Sequence, residues 1–368
     1  MRSKLFLMVL FAMFFALAIT VMPAFVVSGP MTGAAMAQDD DWDDWDEEEE
    51  EEDAFGNIMQ TTFATIDSVD FSAPSANAPC KVTANITFVD EDEEAEVTAV
   101  KLIYYVNGDL ASPKEVAMSG GDGAYSAEIP GQASGAKVDF IIRVEDSNDN
   151  VTSQAVSASK ATVTAIADMD NSADIVGDDT DILDLKAGYD AERIYVDYSV
   201  QGKVNGGTID PPYIVLYGIK FTNPDTEQGE GLMVGKLWVN LPLVKDKAVQ
   251  EKFLPLLLEQ GAEYVEKIGR DKIDRVMETG MLVLDIQKLM GGNFMEGLMF
   301  TAEPNGSVDG GNFSGSIVRA SLGENPSGYV RVIILTAANA SIDSFMPIPL
   351  NCSNFLTLYT SANSYTVK

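Results

Sequence analysis

Apolar residues recur at every second position through much of this chain, and that period decides what the chain can become. In "KVTANITFV", Val82, Ala84, Ile86 and Phe88 share one face. In "AVKLIYYVNGD", Val100, Leu102, Tyr104 and Val106 do the same, and Asn107-Gly108 turns the chain. "GGDGAYSAEIPG" sets Tyr125, Ala127 and Ile129 in register behind a glycine turn. "AKVDFIIRVEDSNDN" alternates through Val138, Phe140, Ile142 and Val144 before turning again. Successive side chains of an extended strand point to opposite sides, so each run gains one core face and one outer face. Such runs, separated by turn residues at short spacing, predict a β-sandwich over residues 58–165.

The texture changes near residue 166. "DMDNSADIVGDDTDILDL" is dense in aspartate. After it come "KAGYDAERIYVDYSVQGKVNGG", "YIVLYGIKFTN", "GLMVGKLWVNLPLV", "GLMFTAEPNG", "NFSGSIVRASLG", "YVRVIILTAA" and "NFLTLYTS", enough strands for a second, jelly-roll-like sandwich over 166–368. Between "NLPLV" and "GLMF" the period shifts to that of a helix. Ala262, Val265 and Ile268 form one stripe, and Ile273, Val276, Met277 and Gly280, then Leu284, form another. This predicts a helical insertion at 245–291 that covers an open sheet face or edge. A partner or self-association surface is the alternative, since Met277, Met281, Met290, Met295 and Met299 adapt to varied contacts. The expected fold class is therefore all-β, with two sandwich domains and a helical insertion in the second.

Two resemblances bear on this expectation. "VKLIYYVNGD", "GDGAYSAEIPG" and "VDFIIRVEDSNDN" resemble the immunoglobulin-like and fibronectin-III-like modules of exported bacterial proteins, although the antibody-type cysteine pair around a tryptophan is absent. "DILDLKAGYDAERIYVDYSVQG" and "NFSGSIVRASLGENPSGYVRVIILTA" resemble the paired strands of the DOMON and family-9 carbohydrate-binding-module group. The first resemblance implies a spacer or a site of protein contact. The second implies a sandwich whose branches bind sugar or haem. Sugar needs an exposed aromatic platform, and haem needs axial histidine or methionine. Trp238 alternates with apolar neighbours in "KLWVNL", which favours the core over a platform. With Tyr213 and Tyr217 it is still the candidate for ligand contact, beside Tyr189, Tyr195 and Tyr198.

The chain opens Met-Arg-Ser-Lys and continues "LFLMVLFAMFFALAITVMPAFVV", with "AAMA" before the acids begin. That is the layout of a secretory signal spanning residues 1–37, with Ala35 and Ala37 at the cleavage positions. An uncleaved anchor is the alternative, and either way the rest is exported to the periplasm, cell surface or medium. Residues 38–57, "QDDDWDDWDEEEEEEDAFGN", predict a disordered acidic tether. Trp42 and Trp45, three residues apart, could instead make it a recognition element for a basic groove on a partner.

The chain carries 24 basic and 57 acidic residues, a net charge of −33. Such a surface excludes nucleic acid as a partner, because phosphate binding needs clustered lysine and arginine. The chain has no histidine. Serine-histidine and cysteine-histidine catalysis, the common zinc sites and histidine-ligated haem all go with it. Nothing marks a nucleotide site. Carboxylate pairs are so plentiful that none stands out as catalytic, and a non-enzyme is expected. Asp168, Asp170, Asp174, Asp178 and Asp179 lie within twelve residues, and calcium is the cation that accepts such ligands. The spacing is not that of an EF-hand, and a solvated acidic linker is the alternative. Cys80 and Cys352 could bridge the two domains in an oxidising compartment or remain two buried thiols. The functional expectation is a non-catalytic envelope or surface protein that binds or scaffolds protein or glycan. A carbohydrate-binding module and a self-associating subunit of a surface polymer are the alternatives.

Overall fold

The computed structural model describes residues 63–89, 95–156, 161–165, 178–209, 212–222, 235–251, 255, 262–323, 329–338, 348–359 and 362–368. The expected signal segment, the acidic tether with Trp42 and Trp45, and Asp168, Asp170 and Asp174 lie outside them.

The described chain is mostly β-strand. First come β1 (Phe63–Phe71), β2 (Cys80–Val89), β3 (Val97–Val106) and β4 (Lys114–Ala117). β5 (Ser119–Gly121), β6 (Ala124–Ile129), β7 (Lys137–Asp146) and β8 (Val151–Gln154) follow. Then come β9 (Ala161–Ala165), β10 (Ile182–Tyr189), β11 (Arg193–Val200), β12 (Gly207–Ile209), β13 (Pro212–Thr222) and β14 (Lys236–Asn240). Helices α1 (Ala262–Ile268) and α2 (Arg270–Thr279) precede β15 (Met281–Asp285), and α3 (Ile286–Met290) and α4 (Phe294–Gly297) follow it. The chain closes with β16 (Asn305–Asp309), β17 (Asn312–Val318), β18 (Tyr329–Ala338), β19 (Ile348–Cys352), β20 (Leu356–Tyr359) and β21 (Asn363–Thr366).

One long sheet organises the molecule. Its strands run β15-β14-β13-β18-β20-β8-β7-β3-β4, with β12, β19 and β21 attached at its sides. Two smaller sheets, β1-β2-β6-β5 and β16-β17-β11-β10-β9, pack against it. They sit on opposite faces. β7 shows this directly: Val138, Phe140, Ile142 and Val144 enter a core shared with β1, β2 and β6. Ile141, pointing the other way, enters a core shared with β10, β11 and β17. Period-two geometry makes this obligatory for a strand buried on both faces.

The far end of the long sheet also has two covered faces. Trp238, Met281 and Val283 face the second core, while Leu237, Val239, Leu282 and Leu284 face a third cluster. Val276, Met277 and Ile268 from α1 and α2 pack against that third cluster. The helices therefore cover a sheet face. Met281 lies in the second core and Met299 packs against it, so neither lies on an open methionine-rich surface.

Two sequence expectations need correction. "MLVLD", read as part of the helical insertion, is β15. Gly280 takes φ 68 and caps α2, and the all-apolar start of β15 then pairs with β14, Trp238 opposite Val283. Its last residue, Asp285, accepts the Lys288 N–H to cap α3 and pairs with Lys236 at 2.6 Å. The second correction concerns the division at residues 165 and 166. β9 belongs to the sheet of β10, and β20 and β21 return to the first set of strands. β20 lies between β18 and β8, antiparallel to one and parallel to the other. β21 pairs with β7. Strands of the two parts share one sheet.

Candidate functional site

Trp238 and Tyr217, two of the residues expected to contact ligand, are not at an open surface. Trp238 is fully buried, its ring edge-on to Phe313 with centroids 5.5 Å apart. Gly315 is a glycine for the same reason, because a Cβ there would lie 2.6 Å from the Trp238 ring and 2.7 Å from the Asn305 carbonyl. Tyr217 is equally buried, stacked on Tyr198, with its Oη 3.0 Å from the Asp179 carbonyl and 3.1 Å from that of Lys203. Burial pushes Tyr198 far up, with Asn240 opposing and Tyr217 adding to the shift. Trp238 and Tyr217 are thus core residues and cannot serve as sugar platforms. Tyr213 lies in β13 opposite Thr208, and its side chain is outside the described atoms.

Of the candidate calcium ligands, Asp178 and Asp179 are described. Asp179 accepts from the Lys203 N–H at 2.7 Å and from Asn205 Nδ2 at 2.8 Å, one bond to each oxygen. It pins the β11–β12 connection to the entry of β10. Among the described residues no three carboxylates or thiols converge on a metal position. Cys80 is a free thiol inside the first core, and its Sγ donates to the Ser72 carbonyl at 3.3 Å. The bridge to Cys352 is therefore not formed: Cys80 sits in β2, whereas Cys352 pairs with Leu335 at the far side of β18. Burial raises the Cys80 pKa, which disfavours the reactive thiolate.

Tyr195 differs from the other tyrosines. It lies on the outer face of β11 and its Oη donates to Asp190 Oδ2 at 2.6 Å. Asp190 Oδ1 accepts from the Glu192 and Arg193 N–H groups, closing the β10–β11 turn. The Tyr195 bond, then the backbone bonds, hold the Asp190 carboxyl below its ordinary value of 3.8. A depressed carboxylate stabilises the fold above the unfolded value and loses that contribution as pH falls through the folded one. Tyr195→Phe should therefore raise the Asp190 pKa toward 3.8, followed by NMR titration of its carboxyl carbon. An unmoved value would mean that the backbone donors alone set it.

An open groove of 540 Å³ lies beside α2, with Lys245 and Arg275 lining it alongside Asp271, Asp274 and Glu278. It presents both signs of charge and selects no ligand class.

The most elaborated polar site is the seam where β20 meets β8. The turn "EDSNDNV" builds one side of it. Asp146 is 4% exposed, and its Oδ1 accepts from the Asn148 and Asn150 N–H groups at 3.0 and 2.9 Å. Its Oδ2 accepts from Asn150 Nδ2 at 3.1 Å. That contact fixes the Asn150 amide so that its Oδ1 accepts the Phe355 N–H at 3.0 Å, at the entry to β20. Asn354 Nδ2 donates to the Asn148 carbonyl at 3.1 Å. Arg331 of β18 stacks over the Phe355 ring at 3.8 Å and attracts Asp146. Burial nevertheless pushes Asp146 up, against these hydrogen bonds and Arg331. Further along, Tyr359 Oη accepts the Ile66 N–H at 3.0 Å, and Gln154 Oε1 accepts from Ile142 N–H and Asn363 Nδ2. Sequence reading missed this site because asparagines in "DSNDN" and "NCSNF" carry the same signal as ordinary turn residues.

No protein-family model matches the chain, and no curated protein matches it.

Proposed function

We propose that the protein is a non-catalytic, exported component of a cell envelope or surface, which holds or spaces other molecules. In this reading the first part is an immunoglobulin-like sandwich and the second a DOMON-like or carbohydrate-binding-module-like sandwich. The N-terminal segment is a signal followed by an acidic tether. The observation that carries the reading is the seam. Its buried hydrogen bonds and the shared sheet suit a rigid spacer, because adjoining domains otherwise move relative to each other. A catalytic reading has no comparable support, since Asp146, the most buried carboxylate among the described residues, is spent on holding backbone and amide N–H groups. A glycan-binding reading has lost Trp238 and Tyr217 to the core. Calcium binding would require Asp179 to exchange its present partners for the ion.

Calorimetry tests the spacer. Residues 58–368 should unfold in one transition whose calorimetric and van't Hoff enthalpies agree. Two resolved transitions would sink the idea of a single rigid unit. Fractionation of producing cells tests export: full-length protein confined to the cytoplasm would overturn that part.

A further inference from the structure

β16 ends the five-stranded sheet, and no strand among the described residues pairs with its outer edge. Asp309 and Asn312 flank a two-residue turn, so they exchange backbone bonds with each other. Alternation along an antiparallel pair then turns the N–H and C=O of Val308 and Gly306 away from β17. Among the described residues those groups meet no backbone partner. All five residues of β16 are exposed, and no proline, lysine or bulge guards the edge. The side of β16 turned to the second core is open as well. Val308 lies opposite the core residue Phe313 and is still 38% exposed. Gly306, on the same side, has no side chain to add, and a Cβ there would lie 2.8 Å from the Phe313 ring and 3.0 Å from Met281 Cε.

The groove beside α2 reaches this edge. Asn305 and Gly306 line one wall, and Asp271, Asp274, Arg275 and Glu278 line the other. Its side-chain charges alone choose no ligand class. Its backbone wall does, because outward N–H and C=O groups at strand spacing are matched by a second extended main chain. We propose that the edge of β16 takes a segment of a partner protein as an added strand, an extended peptide in which apolar and basic residues alternate. The apolar side chains close over Val308, and the basic ones meet the carboxylates of α2. Three carboxylates there stand against Lys245 and Arg275, and a chain of net charge −33 attracts a cationic segment while repelling a second copy of itself. This rests on the reading that the protein holds other molecules, and names the class of molecule held.

The probe is a fluorescent peptide of alternating lysine and valine with blocked ends, added to the full-length protein and followed by anisotropy. Amide exchange should be fast at Gly306 and Val308 beforehand and slow when the peptide binds. Val308→Pro removes an N–H that points outward, so the bonds to β17 remain, and binding should weaken about tenfold. Peptides N-methylated on the valines or on the lysines block antiparallel or parallel addition, and one of the two should lose as much with the protein unaltered. Asp271→Asn with Glu278→Gln should weaken binding several-fold, and a glutamate–valine peptide should not bind. Equal binding by parent and Val308→Pro, and by plain and both methylated peptides, would reduce the effect to net charge and overturn the proposal. Absence of binding would overturn it too. So would slow exchange at Gly306 and Val308 before any peptide is added, since another part of the chain or a second copy would then already hold the edge. None of these failures alters the single unfolding transition or the export on which the proposed function is tested.

Discussion

Replacing Trp238 with alanine should lower the free energy of unfolding by about 3–5 kcal/mol, the range for removing a large ring from a packed interior. The indole stands between the long sheet and the five-stranded sheet, against Phe313 and the space kept by Gly315. Little around it can collapse into the gap, because the flanking strands are held by hydrogen bonds on both edges. Trp238→Phe should cost less, about 1–2 kcal/mol. The indole N–H has no acceptor among the described residues, so the smaller ring forfeits packing and no hydrogen bond. Urea unfolding measures both, as a fall in midpoint at unchanged slope. An alanine variant as stable as the parent would place the ring outside the core and restore it as a candidate sugar contact.

The second large effect is expected at the seam. Asp146→Ala removes the acceptor for three N–H groups and frees the Asn150 amide to turn away from Phe355. The loss should be about 2–4 kcal/mol, given what buried bonds to a charged acceptor contribute. Asn150→Ala should cost about 1–3 kcal/mol by the same reasoning. The double variant should lose less than the sum, because both substitutions break one chain of bonds. Asp146→Asn should also destabilise although it removes a buried charge, since its amide would set a donor against the Asn150 donor. The pH dependence has a definite sign. Burial raises the Asp146 pKa, so its contribution is largest below the unfolded value of 3.8 and fades as pH rises through the folded one. The parent should therefore gain stability relative to Asp146→Ala as pH falls through that window. An additive double variant would dissolve the proposed chain from Asp146 to Phe355.

Local alternation made much of the fold legible. The faces marked by Val82, Ala84 and Ile86, by Val100, Leu102 and Tyr104, and by Val138, Phe140, Ile142 and Val144 are the buried ones. The core preference of Trp238 was readable for the same reason. What alternation could not show was Ile141 facing a different core, because a strand buried on both sides reads as a plain apolar run. It also could not assign β20 and β21 to their neighbours. "LTLY" and "NSYT" are too short to name a partner, and the choice is made by contacts hundreds of positions away. β15 was hidden by a helix on each side, its apolar run fitting either period. The seam was hidden because its asparagines owe their importance to what lies across from them.

The bond between Ile66 and Tyr359 spans 293 positions, and that distance orders events in time. A ribosome that has made the first eight strands has made a unit whose core still lacks Tyr359, Tyr365 and Val367. It must wait for most of the remaining synthesis before it can close. Until β20 arrives, the edge of β8 that it will pair with and the Ile66 N–H that the Tyr359 hydroxyl will accept are both left without those partners.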